Sequence, residues 1–381
     1  MREDETAQLY AETAAGERGF VLPFLMVALA GMALITMATL RQYMTLSDLT
    51  AAAQSEFRSE LDAANIEARL AFSMTSEPYG QRGIKIGAPR VSVFQEVGGG
   101  GADFTLPDTG SRRFASNNAP RQEMLFLDGT EYSHRAPSGG YRVAAQDLAG
   151  LVNMNSLAPD QLVRFIAASG VGEIDARRLA AAYTDFTDDD DREGFGGAEQ
   201  FDYQSRNLPA PPNYRLLTRS GAFSILGWPD TLSSAGKEFI FENGWADLRA
   251  HQFNINTAPA GSLAALYNVD RDAAQSAITE RRIAPFSSLA DISRRIGATV
   301  EGEVFVAHTF PSRGVRVRIN RANETLTRES VIYISDGGAD RPFYVKLNRR
   351  FHRNDRQEAD RPVAELAPLP RPSRLFADGE R

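Results

Sequence analysis

The sequence predicts an α+β fold: a long N-terminal helix, then a strand-rich head interrupted by a large all-helical insertion. Three observations predict it. Residues 20–40 are continuously apolar and run into an amphipathic helical stripe. Strand-type segments occur both before residue 149 and after residue 300. The stretch between them is helical and carries a weak internal repeat. The expected division is a leader at 1–19, a transmembrane and amphipathic long helix at 20–78, the first part of a β head at 79–148 and the inserted helical domain at 149–300. Returning strands follow at 301–352, then a proline-rich, disordered tail at 353–381.

Phe20 to Leu40 holds no charge and, as a helix, spans about 30 Å, the thickness of a bilayer's hydrocarbon core. A buried core helix of that length would show a polar stripe, and this one shows none. Ala28-Leu29-Ala30 offers the small residues of a secretory cleavage site, but the apolar run continues ten residues beyond it. The segment is therefore read as a membrane span closed by Arg41. Leu46, Leu49, Ala53, Phe57, Leu61, Ala64 and Ala68 then recur at spacings of three and four, with Glu56, Glu60 and Glu67 off the stripe.

The head is expected to start with alternating strands at Arg90–Phe94 and Met124–Leu127, the latter followed by an Asp128-Gly129 turn. Gly98 to Gly101 lacks a following lysine and reads as a connection, not a phosphate cradle. After the insertion, Val304–Val306, Val315–Ile319, Val331–Ile334 and Phe343–Val345 read as strands, with an Asp336-Gly337 turn between the last two.

In the insertion, Asn153-Met154-Asn155-Ser156 parallels Asn254-Ile255-Asn256-Thr257, and each copy precedes a helical pattern. The asparagines and hydroxyls are expected to cap those helices. The repeat resembles helix-hairpin-helix (SAM-like) units, with Gly170-Val171-Gly172 as the first hairpin and Asn268-Val269-Asp270 in the corresponding place of the second. Such hairpins often hold nucleic-acid phosphates, which keeps open a membrane-anchored nucleic-acid-binding protein of a competence or type IV pilus-like system. Charge argues against it: 150–200 holds Arg164, Arg177, Arg178 and Arg192 against ten acidic residues, where phosphate contact needs a basic footprint.

The whole chain is acidic, with 42 basic and 49 acidic residues, so no general attraction to nucleic acid is expected. It has no cysteine, which removes disulfides and thiolate chemistry, and its four histidines lack ligand spacing. The sharpest chemical feature is Asp185-Phe186-Thr187-Asp188-Asp189-Asp190-Asp191, followed by Gly197-Ala198-Glu199. Five carboxylates in seven positions are either solvated or bound to a hard cation, and oxygen donors without nitrogen or sulfur suit calcium. Glu193 stands where an EF-hand loop from Asp188 would need glycine. A hydrolytic metal site is disfavoured, because one acidic loop lacks the dispersed geometry of two-metal chemistry. No enzyme activity is expected.

Glu17-Arg18-Gly19-Phe20 resembles the type III signal of type IV pilins and pseudopilins, which the prepilin peptidase cuts after the glycine, here between Gly19 and Phe20. The leader departs from that pattern in being acidic, and Phe24 stands where most pilins carry glutamate at the fifth mature position. Asp185-Phe186-x-Asp188-x-Asp190-Asp191, then Gly197-Ala198-Glu199 and Tyr203, resembles the D-W-x-D-x-D…G-A-E…Y signature of type II secretion system protein K, the GspK-type minor pseudopilin. Phe186 replaces the usual tryptophan. Leu151–Asn155 and Phe253–Pro259 resemble the same family's asparagine-rich turns, and the missing glutamate at Phe24 agrees with it.

The resemblance implies a pilin-like α/β head and a role at the tip of the periplasmic pseudopilus, helping to start its assembly for export across the outer membrane. It also implies an inner-membrane single-pass anchor with the head in the periplasm. The implied partners are the I-type and J-type minor pseudopilins, other pseudopilus subunits, the inner-membrane secretion platform and the prepilin peptidase. It further implies calcium held by Asp185, Asp188, Asp190, Asp191 and Glu199.

Overall fold

The structure is a computed structural model that describes residues 21–86, 123–248, 253–296, 308–322, 324, 326–335, 342–352 and 363–369. The Gly19–Phe20 junction, Arg90–Phe94, Gly98–Gly101, Val304–Val306 and the Asp336-Gly337 turn lie outside the described residues. The chain divides into two compact units, 1–62 and 63–381.

The first described element, α1, is one 56-residue helix, Val21–Ser76. Its apolar window has a mean hydropathy of 2.3 and is wholly unburied, so α1 is long and apolar enough to cross a membrane. In the first unit Leu46, Leu49, Phe57 and Leu61 are exposed. In the second unit the packed face of α1 is Ala63, Ile66, Glu67, Leu70, Ala71 and Met74. This corrects the expected stripe, since Ala64 and Ala68 face outward. Glu67 could not be assigned to the buried face from periodicity. It is buried because Arg328 Nε and Ser330 Oγ both donate to its Oε2 at 2.9 Å.

The head holds two sheets. Strands β1 (Tyr79–Gly80), β2 (Gly83–Ile86) and β3 (Glu123–Phe126) form one. The other has six strands in the order β10-β9-β8-β5-β4-β11. Here β4 is Asp128–Ala136, β5 Gly139–Asp147, β8 Gly314–Arg321, β9 Leu326–Ile334, β10 Phe343–His352 and β11 Ala364–Glu365. The Asp128-Gly129 turn differs from expectation. β3 pairs with β2 and β4 with β5, so the dipeptide passes the chain between sheets, at a register irregularity between Asp128 and Glu131. Gly129 has φ +80°, and Asp128 Oδ1 accepts from Thr130 N and Oγ1.

Residues Val363–Leu369 also differ from expectation. Their proline-rich context predicts a disordered tail, yet β11 runs parallel to β4, and Leu366, Ala367 and Leu369 are buried in the head core with Leu70, Met74 and Val143. Arg69 Nη2 donates to the Leu369 carbonyl, and Leu366 N donates to Ser133 O at 2.7 Å. Prolines in a polar context predict poor order, but apolar side chains spaced to meet a core override that.

β5 and β8 are antiparallel neighbours, with Asp147 opposite Val315, so residues 148–313 are an excursion between two adjacent strands. At its neck the fully buried Asp147 carboxylate accepts from Ala149 N, Ser312 N and Oγ, Asn254 Nδ2 and Thr257 Oγ1, at 2.6–3.1 Å. The excursion contains α2 (Pro159–Ala167), α3 (Glu173–Thr187), α4 (Gln200–Ser205), α5 (Trp228–Thr231), α6 (Ser234–Asn243), α7 (Ala260–Tyr267), α8 (Arg271–Ile283) and α9 (Leu289–Ile296). Short parallel strands β6 (Val152–Asn153) and β7 (Gly244–Trp245) also lie in it.

Both helical hairpins are present. α2 turns into α3 through Gly170 at φ +92°, and α7 into α8 through Asn268 at φ +51°. Asparagine, which tolerates the left-handed region, replaces the glycine of the first copy. The asparagine repeat caps only in part: Asn153 Oδ1 caps the 3-10 turn Met154–Ser156 by accepting from Asn155 N, but no asparagine caps α2 or α7. The positions preceding α2 and α7 are Ala158 and Pro259, and neither supplies a side-chain cap. Instead Asn155 Oδ1 accepts from Leu216 N and its Nδ2 donates to Leu216 O, at 3.0 and 2.8 Å. Asn256 does the same to Phe286, at 2.7 and 2.9 Å. Each clamps one residue's backbone as a strand partner would.

Candidate metal centre in the acidic loop

The centre begins where α3 ends. α3 buries Leu179, Ala182, Tyr183 and Phe186 in the core of the insertion, and the same helical face carries Asp185, 3 % exposed, in its last turn. A buried carboxylate there needs donors. They come from the returning loop: Gly194 N donates to Asp185 at 3.1 Å and Ala198 N at 2.9 Å. Two glycines are dictated by this closure. A Cβ on Gly197 would lie 1.8 Å from Asp185 Oδ2, and one on Gly194 2.8 Å from Oδ1.

Closing the loop brings Asp188 and Glu199 beside Asp185. Asp188 Oδ1 and both carboxylate oxygens of Glu199 are buried with no hydrogen-bond partner. Glu199 is 5 % exposed. Burial, and then the neighbouring charge of Asp185, push both carboxyls above the usual carboxylate range. Asp190 and Asp189 add to the effect on Asp188, and Asp188 and Asp191 to that on Glu199. Unpaired, desolvated oxygens of like charge are what a bound cation would satisfy.

Asp190 and Asp191 sit at the exposed margin. Asp190 Oδ1 accepts from Arg192 N at 2.9 Å, and Asp191 Oδ1 accepts from Asn213 Nδ2 at 2.8 Å. Asp189 is exposed. The structure therefore gathers Asp185, Asp188 and Glu199, and leaves Asp190 and Asp191 one step outward. Among the described residues no group of three or more Asp, Glu, His or Cys side chains is already disposed around one point in ligating geometry. The fit lies in donor chemistry, oxygens with no partner, and not in a formed cage.

Asn213 was not singled out from sequence. It bridges the loop by donating to Asp190 O and Asp191 Oδ1, has φ +48°, and keeps its own Oδ1 buried without a partner. No local pattern marks it, because its partners lie 22 and 23 residues away. Phe186 takes the place where tryptophan was anticipated. It is buried and packs on Tyr203 with ring centroids 6.2 Å apart, so the aromatic support of the loop is kept. Tyr203 OH in turn accepts from Leu226 N at 2.9 Å.

Residues 144–233, which run from the end of β5 through the first hairpin and the acidic loop, match the family model of type II secretion system (T2SS) protein K. No curated protein matches the chain. Its fold is similar to a chain in the crystal structure of the GspK-GspI-GspJ complex from the type 2 secretion system of enterotoxigenic Escherichia coli. The TM-score is 0.51 at 16% identity, over 80% of this chain and 99% of that one.

Proposed function

We propose that this chain, which belongs to the type II secretion system protein K family through residues 144–233, is a minor pseudopilin that caps the pseudopilus and helps start its assembly. One observation carries the reading. The family match spans the point where the head sheet is interrupted, and residues 148–313 emerge there between two adjacent strands of a pilin-like head. A side excursion of that size suits the end of a filament, where no further subunit has to stack beyond it. The apolar α1 supplies a single-pass anchor, and the prepilin-like junction favours the inner membrane with the head in the periplasm.

The partners in this reading are I-type and J-type minor pseudopilins, by analogy with the complex in which the structural relative was crystallised. The acidic loop is read as a calcium site. Asp185, Asp188 and Glu199 would hold the ion, with Asp190, Asp191 and Asn213 Oδ1 completing the set. The bound charge would pin the loop to the insertion. No step of catalysis is assigned. Co-expression of the full chain with its I- and J-type partners, followed by purification in detergent, should give a stable ternary complex whose K subunit begins at Phe20. A monodisperse chain that ignores both partners would sink the reading.

A further inference from the structure

A second polar cluster lies where the insertion meets the head sheet. Arg219 and Glu242 come from the insertion, and Arg316, Arg318, Glu329 and Arg349 from β8, β9 and β10. Glu329, fully buried, pairs with Arg219 at 2.5 Å, Arg349 at 2.9 Å and Arg318 at 3.0 Å. Glu242 pairs with Arg318 at 2.6 Å and lies 3.8 Å from Arg316. Four guanidiniums thus share two carboxylates. Burial lowers Arg219 to about 10 against the attraction of Glu329, and the neighbouring charges of Arg318 and Arg349 add to that lowering.

Beside this cluster a cavity of about 120 Å³ opens between Leu217–Ser220, Trp245 and two β10 residues, Lys346 and Arg349. The charged side chains that line it are Arg219, Lys346 and Arg349; behind them Arg219 and Arg349 share Glu329, and Lys346 Nζ lies 3.7 Å from Asp247 Oδ2. Trp245 Nε1–H and Arg219 Nε–H are buried without an acceptor, on residues 5 % and 3 % exposed. The rest of the wall is mostly carbon. A cavity of this size is well below the roughly 300–1,000 Å³ of small-molecule sites. It has room for the tip of one side chain. β10 is the outermost strand of its sheet among the described residues. Its register breaks between Val345 and Leu347, which discourages indiscriminate strand addition and leaves recognition to the side chains.

We propose that this cavity receives a carboxylate side chain from an acidic segment of a partner protein. Arg349 and Lys346 meet it at the mouth and the buried Arg219 stands behind them. Charge-assisted donors of this kind hold carboxylates well, and the incoming charge would offset the cationic surplus of the cluster. A fully hydrated phosphate fits the small, carbon-lined chamber less well. The site does not depend on the pseudopilin reading or on calcium.

The chain has two tryptophans, and the other, Trp228, donates to Leu179 O inside the insertion core, which makes it an internal reference. The full chain in detergent, labelled with 5-fluorotryptophan, is titrated with N-acetylglutamate methylamide at constant ionic strength. The Trp245 resonance should shift saturably with a Kd on the order of millimolar, while Trp228 stays still. Lys346→Gln, which leaves the Glu329 pairs in place and removes the 3.7 Å contact with Asp247, should weaken binding about tenfold, as should Arg349→Gln. If Arg349→Gln fails to fold, Lys346→Gln decides alone. Equal shifts with N-acetylglutamine methylamide, equal shifts at Trp228, no effect of Lys346→Gln, or tighter saturation by inorganic phosphate would each overturn the proposal.

Discussion

Asn256 is fully buried and spends both ends of its amide on the Phe286 backbone, with a further donation to Thr309 O at 3.2 Å. Asn256→Ala leaves an N–H and two carbonyls without that partner inside the core, so urea denaturation should show a loss of about 2–4 kcal/mol. Asn155→Ala, at a half-buried position, should lose less. The acidic loop makes a pH-dependent prediction at the same scale. Asp188 and Glu199 titrate above their ordinary values of 3.8 and 4.5. Without a cation the native state therefore binds more protons than the unfolded chain between those values and the raised ones, and stability falls as pH rises through that window. A cation competes with those protons. Calorimetric titration of the full chain should show calcium affinity falling on acidification from pH values still above the ordinary range, and falling sharply with Asp188→Ala. Absence of calcium heat at neutral pH would retire the site.

The C-terminal segment shows how an element can be held by its neighbours with little propensity of its own. β11 has two residues, yet Leu366 and Leu369 are 5 % and 2 % exposed. Each buried leucine is worth about 1.5–3 kcal/mol. Truncation after residue 362 should lower head stability by roughly 3 kcal/mol or more in chemical denaturation. α1 shows the opposite case. Its length and apolarity were legible residue by residue, but the face that packs in the head was not, because Glu67 acquires its place from Arg328 and Ser330 on another element.

At the scale of the molecule, the insertion and the head each have a core. One is built around Phe165, Trp228, Ile255 and Phe286, the other around Leu70, Val143 and Val317. Several connections tie them, among them the Asp147 neck, the apolar group of Leu148, Leu151, Trp245, Val331 and Tyr333, the Arg219–Glu329 and Glu242–Arg318 pairs, and Arg281. Arg281 lies 3.4 Å from Asp128, and its carbonyl accepts from Arg82 at 2.8 Å. Buried ionic links that cross such a boundary are costly to break. Insertion and head should unfold in one transition, with far-UV and tryptophan signals coincident, and Asp147→Ala should separate them into two. Two transitions in the unmodified protein would contradict the coupling drawn from these contacts.

Local sequence carries the α+β class, the apolar span, both helical hairpins, the strands on either side of the insertion, and the acidic loop with its aromatic support. All of these are written in local periodicity or in short motifs, where neighbouring residues carry the signal. Tertiary packing alone set which acidic side chains lie beside one another, that Asn213 and Asp147 hold distant backbone through their side chains, and that Asn155 and Asn256 clamp backbone across the insertion. It also brought four arginines from three segments, two of them on β8, to two glutamates. Those outcomes depend on groups tens to hundreds of residues apart being desolvated together, and burial of that kind leaves no periodic trace in the chain.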